Sequence, residues 1–230
     1  MALHVLSGGA AEGLFGRLGA EFERMAGIVL AGRFGAVGAM REALAAGAPC
    51  DVLVLTAELI RTLEGEGRAA AGEAGVLGRV RTAIAAPAGA AKPAISDSEQ
   101  LRTLLASASA IHLPDPVRAT AGIHFAGVLR QLGLYASLAA RLRPHPNGMT
   151  AMRALAAEAD PRAVGCTQVT EILATPGVAM VGALPPPFAL ETTYVATVAT
   201  ASTTPELARR LVAWLSGKDT ATARAACGFE

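Results

Sequence analysis

The stretch Pro114-Asp115-Pro116-Val117-Arg118-Ala119-Thr120-Ala121-Gly122-Ile123-His124-Phe125 decides how the chain folds. Just before it, Ala110-Ile111-His112-Leu113 reads as the end of a short buried strand. From Gly122 onward Ile123, Val128, Leu129 and Leu132 recur at helical spacing, so the chain passes from strand through a polar turn into a helix. A helix start leaves backbone N–H groups unpaired, and the aligned peptide dipoles put partial positive charge there. Arg118 and the Thr120 hydroxyl stand beside it, so the turn reads as an anion site. The plainer alternative makes Thr120 an N-cap and Arg118 a solvated charge.

The same unit recurs along the chain. Residues 3–6 are an apolar strand, Ser7-Gly8-Gly9 opens a small-residue turn, and a helix is predicted to about residue 25. Residues 27–31 read as a second strand, Gly32-Arg33-Phe34-Gly35 as a turn, and a helix follows to about residue 46. Asp51-Val52-Leu53-Val54-Leu55-Thr56 is the continuous apolar run of a strand buried on both faces, with a helix over 57–64. Strands are further predicted at 79–87, 139–143, 163–168, 178–184 and 192–200. Helices are predicted at 98–106, 149–158, 169–173, 205–216 and 219–226. Ser96 with Glu99 has capping-box spacing, and Pro185-Pro186-Pro187 is a stiff break.

Strands alternating with helices predict an α/β fold with mixed, mostly parallel sheets flanked by helices. The long strands 79–87 and 192–200 bracket a middle segment with its own βα units. Two lobes are therefore expected, residues 1–80 with 196–230 and residues 81–195, joined by two crossover strands and separated by a cleft. Ligands of open α/β sheets sit beyond the carboxyl ends of strands. The candidate ligand-binding residues there are Ser7, Gly8, Gly9, Arg33, Phe34, Arg118, Thr120, Ala121, Asn147 and Gln168.

Composition narrows the function. At 230 residues with 52% hydrophobic and 17% charged residues, the chain has ample material for a core and is no disordered tail. A net charge of +1 and 4% aromatics exclude a nucleic-acid surface, and no apolar run is long enough to insert in a membrane. Cys50, Cys166 and Cys227 cannot all pair and lack a CxxC, so they read as small buried apolar side chains. His4, His112, His124 and His145 fall in different elements without ligand spacing; neither a metal nor an organic cofactor is expected. With no apolar leader before the first strand, a cytoplasmic location is expected, or a periplasmic one if a leader has been removed. A monomer is expected.

Taken in order, several stretches resemble one family. They are Val5-Leu6-Ser7-Gly8-Gly9-Ala10, Gly47-Ala48-Pro49-Cys50-Asp51-Val52, Lys92-Pro93-Ala94-Ile95-Ser96, Pro114-Asp115-Pro116 through Ala121-Gly122, Gly165-Cys166-Thr167-Gln168 before Glu171-Ile172-Leu173, Pro176-Gly177-Val178, and Gly182-Ala183-Leu184-Pro185. The chain resembles the periplasmic-binding-protein type II fold, in the molybdate-binding-like branch of ABC-transporter substrate-binding proteins. The resemblance implies a solute-binding protein that holds a small anion between its lobes and presents it to a transporter permease. In that branch the anion is held by uncharged donors. Ser7 matches the first hydroxyl and Ala121-Gly122 the backbone amides, but Gly35-Ala36-Val37-Gly38 lacks a hydroxyl and Gln168 stands in place of a tyrosine. Arg33 and Arg118 suit a carboxylate instead, so a di- or tricarboxylate is expected rather than molybdate. The branch is also similar to aconitate isomerase, which implies an enzymatic alternative, allylic proton transfer between trans- and cis-aconitate. On that alternative His124 is the candidate base, followed by Glu171 and His4.

Overall fold

The structure, a computed structural model, describes residues 2–230. The chain divides into two compact units, Met1–Val80 with Thr192–Glu230 (unit 1) and Arg81–Glu191 (unit 2).

Unit 1 opens with β1 (Ala2–Gly8), a short 3-10 turn (Gly9–Ala11) and α1 (Glu12–Ala26), whose Leu14, Phe15, Leu18 and Phe22 form one buried stripe. Gly27, at φ 67°, ends that helix in the left-handed conformation a side chain would resist. β2 (Val29–Gly35) and α2 (Val37–Ala45) follow, then β3 (Val52–Thr56), buried at every position, and α3 (Ala57–Gly65), capped by the Thr56 side chain on Leu59 N. β4 (Gly75–Pro87) leads into unit 2, and β9 (Glu191–Val198) brings the chain back to α8 (Pro205–Ser216) and α9 (Ala221–Ala226). The strand order in unit 1 is β2-β1-β3-β9, with β1 parallel to β2 and β3, and β9 antiparallel to β3. Leu6, Leu53, Leu55, Ile60 and Leu63 pack in its core. Each such side chain contributes about 2–3 kcal/mol by leaving water.

Unit 2 contains α4 (Ser98–Ser107), β5 (Ile111–Pro114), α5 (Thr120–Gln131), β6 (Leu142–His145), α6 (Gly148–Ala156), β7 (Val164–Gln168), α7 (Val169–Leu173) and β8 (Val178–Ala183). β5 runs parallel to β6 and β7, whereas β4 runs antiparallel to β7 and β8. Its core gathers Ile84, Ile111, Leu113, Phe125, Leu129 and Cys166. Among the described residues no helix is long and apolar enough to cross a membrane.

Several local expectations need correction. Arg33 and Phe34 lie inside β2 rather than in a turn; an edge strand with three of its seven residues exposed lacks the apolar run that marks an inner one. The cap of α4 is Asp97, which accepts from Gln100 N at 2.8 Å, while Gln100 Oε1 accepts from Ser96 N. Residues 139–141 form a 3-10 turn, and the strand begins only at Leu142. Thr120 is the first residue of α5, preceded by Ala119 as its cap, and no side chain caps this helix. Cys50 and Cys166 are buried, but Cys227 is only partly so.

Candidate functional site

In each unit parallel strands end along one edge of the sheet and a helix starts after each of them. In unit 2 these are β5, β6 and β7, followed by α5, α6 and α7. In unit 1 they are β1, β2 and β3, followed by α1, α2 and α3. This topology collects the positive ends of the helix dipoles at the carboxyl edge of each sheet.

The α5 start is the least compensated of those in unit 2. It has no side-chain cap and no acidic residue in its first turn. Asp115 shapes the approach: its Oδ1 accepts from Val117 N (2.8 Å) and Arg118 N (3.1 Å), and its Oδ2 lies 3.3 Å from Arg118 Nε. Arg118 is exposed, Thr120 half-buried and Ala121 buried. Gly122 permits the approach of helix to strand, because a Cβ there would overlap the carbonyl oxygens of Pro114 and Asp115. One turn in, His124 Nε2 donates to Phe188 O at 2.8 Å, which leaves Nδ1 as its acceptor nitrogen.

The α6 start is compensated from within. Asn147 caps the helix, its Oδ1 accepting from Thr150 N (2.8 Å) and Thr150 Oγ1 (3.0 Å). The buried Glu171 carboxylate accepts from Thr167 Oγ1 and lies against Gly148, where any Cβ would overlap it. At the end of β7, Gln168 is buried and pairs in register with Thr82 of β4. Directly opposed residues of an antiparallel pair share a face. The buried hydroxyls of Thr82 and Thr170 have no hydrogen-bond partner among the described residues. Neither threonine stands out in the sequence, where a strand threonine is an ordinary residue.

In unit 1, Ser7 is fully buried at the end of β1 and its Oγ donates to Gly8 O at 2.9 Å. A Cβ on Gly8 would lie 3.1 Å from both Tyr194 and Val37, so this backbone is closely packed; Gly9 opens the 3-10 turn. Arg33 is exposed on β2. Phe34 packs edge-on against Phe15, with ring centroids 5.4 Å apart, and lines a groove of about 320 Å³ with Phe15, Leu30 and Gly32. The backbone N–H of His4 donates to Asp51 Oδ2 at 2.8 Å. Ser7, Gly8, Gly9, Arg33 and Phe34 thus belong to unit 1, and Arg118, Thr120, Ala121, His124, Asn147, Gln168 and Glu171 to unit 2.

One cluster escaped the sequence reading. Strand pairing brings His112 and His145 within hydrogen-bond distance, and Glu158 lies on the far side of the His112 ring. Among the described residues no group of histidine, cysteine and acidic side chains could hold a metal ion.

The family profile described as bacterial extracellular solute-binding protein matches residues 3–230. A curated relative, aconitate isomerase from Pseudomonas sp, is 28% identical over 227 residues, spanning 96% of this chain and 84% of that protein. Among solved structures, the periplasmic molybdate-binding protein of Azotobacter vinelandii superposes with a TM-score of 0.78 at 21% identity, covering 99% of this chain and 98% of that one. The sulfate-binding protein SubI of Mycobacterium tuberculosis H37Rv gives 0.76 at 17% identity, covering 100% and 86%. Both likenesses establish a periplasmic-binding-protein fold.

Proposed function

Because the chain belongs to the bacterial extracellular solute-binding protein family, we propose that it is the ligand-capturing component of an ABC-type transporter and that its ligand is a small di- or tricarboxylate. The observation that carries this reading is the α5 start, uncapped and without an acidic residue in its first turn, with Arg118 and Thr120 beside it. Arginine's planar fork matches a carboxylate. Arg118 is exposed and Asp115 half-buried, and ion pairs near the surface contribute about 0–1 kcal/mol, so turning Arg118 from Asp115 to a ligand carboxylate costs little. Gln168, Thr82 and Thr170 add buried uncharged polar groups in the same unit. In unit 1, Ser7 and an α2 start that also lacks an acidic residue in its first turn offer a comparable set. A receptor of this family, described as extracellular, would work outside the cytoplasmic membrane.

Thermal unfolding with citrate, cis-aconitate, trans-aconitate, molybdate, tungstate and sulfate tests the reading. A ligand at a hundred times its dissociation constant adds about 2.7 kcal/mol, which raises Tm by roughly 5–10 °C in a chain of this size. A carboxylate should give the largest shift. A larger shift with molybdate or sulfate would replace the carboxylate by an inorganic oxyanion.

The aconitate isomerase relative favours a second reading, in which the same anion is isomerised. A base would take a proton from the methylene carbon of trans-aconitate, and the allylic carbanion would be reprotonated at its other end. His124 Nδ1 is the first base to test, since Nε2 is committed to Phe188 O and Glu171 to Thr167. Incubation with trans-aconitate should then yield cis-aconitate; binding without turnover would leave the receptor reading alone.

A further inference from the structure

The His112, His145 and Glu158 cluster has no part in the anion reading. His112, in β5, is 4% exposed; its Nε2 lies 2.9 Å from Glu158 Oε1 and its Nδ1 3.0 Å from His145 Nε2. The two rings are inclined by only 16°, with centroids 5.2 Å apart. The positions of the protons follow from the partners. An ionised carboxylate only accepts, so the His112 proton is on Nε2, its Nδ1 accepts, and His145 must donate from Nε2. That order holds while His112 is neutral. Protonating both rings sets N–H against N–H and places two like charges side by side, one of them almost fully buried.

The surroundings offer little to neutralise the second charge. On the sheet face shared by His112 and its β7 partner Gly165, α6 packs with Met152 and Leu155. Arg143, opposite His112 on β6, turns its guanidinium to Ala140 O and Leu142 O. Arg153 of α6 is exposed, Asp160 and Arg162 pair with each other in solvent, and Glu171 of α7 is held by Thr167. Glu158 is the charged group that bonds the pair.

We propose that these three side chains form an acid-sensitive latch that ties both ends of α6 to the buried strand β5 and opens when both imidazoles are protonated. His145 stands two residues before Asn147, the cap of α6, and Glu158 two residues beyond Ala156, its last residue. His112 reaches both. Burial, and after it the neighbouring His112, lower the His145 pKa from its ordinary 6.5. The unfolded chain therefore binds more protons than the folded one. The latch is fully stabilising above pH 6.5 and weakens as the pH falls below it and the pair takes up its second proton. Any effect on anion capture rests on the receptor reading above; the latch itself does not.

Hydrogen exchange of the full chain at pH 8 and pH 5, corrected for intrinsic rates, tests it. Amides of residues 147–152 should lose protection at the lower pH, while those of Val52–Thr56 stay unchanged. In His145→Gln the side-chain amide donates to His112 Nδ1 without titrating, so protection should persist at both pH values. Equal protection in the parent at both pH values, or the same loss in His145→Gln, overturns the latch. Should the variant not fold, imidazole nitrogen shifts of the parent decide: His145 titrating at its ordinary value would also overturn it.

Discussion

The Glu171 carboxylate and Gly148 are in such close contact that no side chain fits at residue 148: a Cβ there would overlap Glu171 Oε2 and Thr167 Oγ1. The helix that carries Asn147 therefore begins against an internal anion, and its dipole is partly answered by the protein itself. Gly148→Ala should destabilise the fold by about 1–3 kcal/mol, the usual cost of overpacking, as measured by denaturant unfolding. Glu171→Gln should cost about 1.5–3 kcal/mol through loss of a charge-assisted bond. Unchanged stability in both would mean that the contact is slack.

Gly122 is constrained by main chain rather than by a side chain. Its missing Cβ would meet the carbonyl oxygens of Pro114 and Asp115, which cannot rotate aside. Gly122→Ala should lower stability by about 2–3 kcal/mol and shift the α5 start. If the anion binds there, its apparent affinity should fall beyond what Arg118→Ala alone causes. Calorimetric titration of the two variants with the winning ligand checks this.

Asp51 is 4% exposed and accepts from His4 N, from Ser202 Oγ at 2.7 Å and from Thr204 Oγ1 at 3.3 Å. It fastens the approach to α8 onto the edge of β1. Asp51→Ala should cost about 3 kcal/mol, and Asp51→Asn less, since the amide keeps one accepting oxygen. Equal midpoints for parent and Asp51→Ala in thermal unfolding would contradict this role.

Cys50 gives a pH dependence. Burial, reinforced by the Asp51 charge and only partly offset by the Leu6 backbone, pushes its thiol from 9.0 up to about 12. Above pH 9 the unfolded chain releases this proton and the folded chain keeps it, so stability should decline between pH 9 and about 12. Near neutrality the same burial makes Cys50 inert. A thiol reagent on the native protein should label Cys227, which is partly exposed, ahead of Cys50 and Cys166, which are buried. Labelling of Cys50 at the rate of Cys227 would contradict its burial.

What could be read in advance depended on how local the signal was. The five buried residues of β3 announce a doubly covered strand, and Leu14, Leu18 and Phe22 announce α1, because burial imposes a period on adjacent residues. β2 is an edge strand whose exposed Arg33 breaks that period, so in sequence its end reads as a turn. The strand-to-helix turns, and with them Arg118, Thr120 and Asn147 as residues at helix starts, were visible for the same local reason. His112 and His145 are 33 positions apart and meet only because β5 and β6 pair. Glu171 finds Gly148, and Gln168 faces Thr82, through tertiary neighbours that no spacing along one element records.

The two units are unequal in connectivity. Residues 81–191 are continuous, whereas unit 1 combines 1–80 with 192–230, and Arg79 and Glu230 exchange a pair of 2.8 Å backbone hydrogen bonds. On the ribosome, the middle portion can therefore collapse while the first eighty residues still await their counterpart. Until synthesis delivers that late segment, β3 has no antiparallel neighbour in β9 and offers a bare, apolar edge. The nascent chain is thus exposed to aggregation within residues 1–80, and that is where a chaperone would be of use.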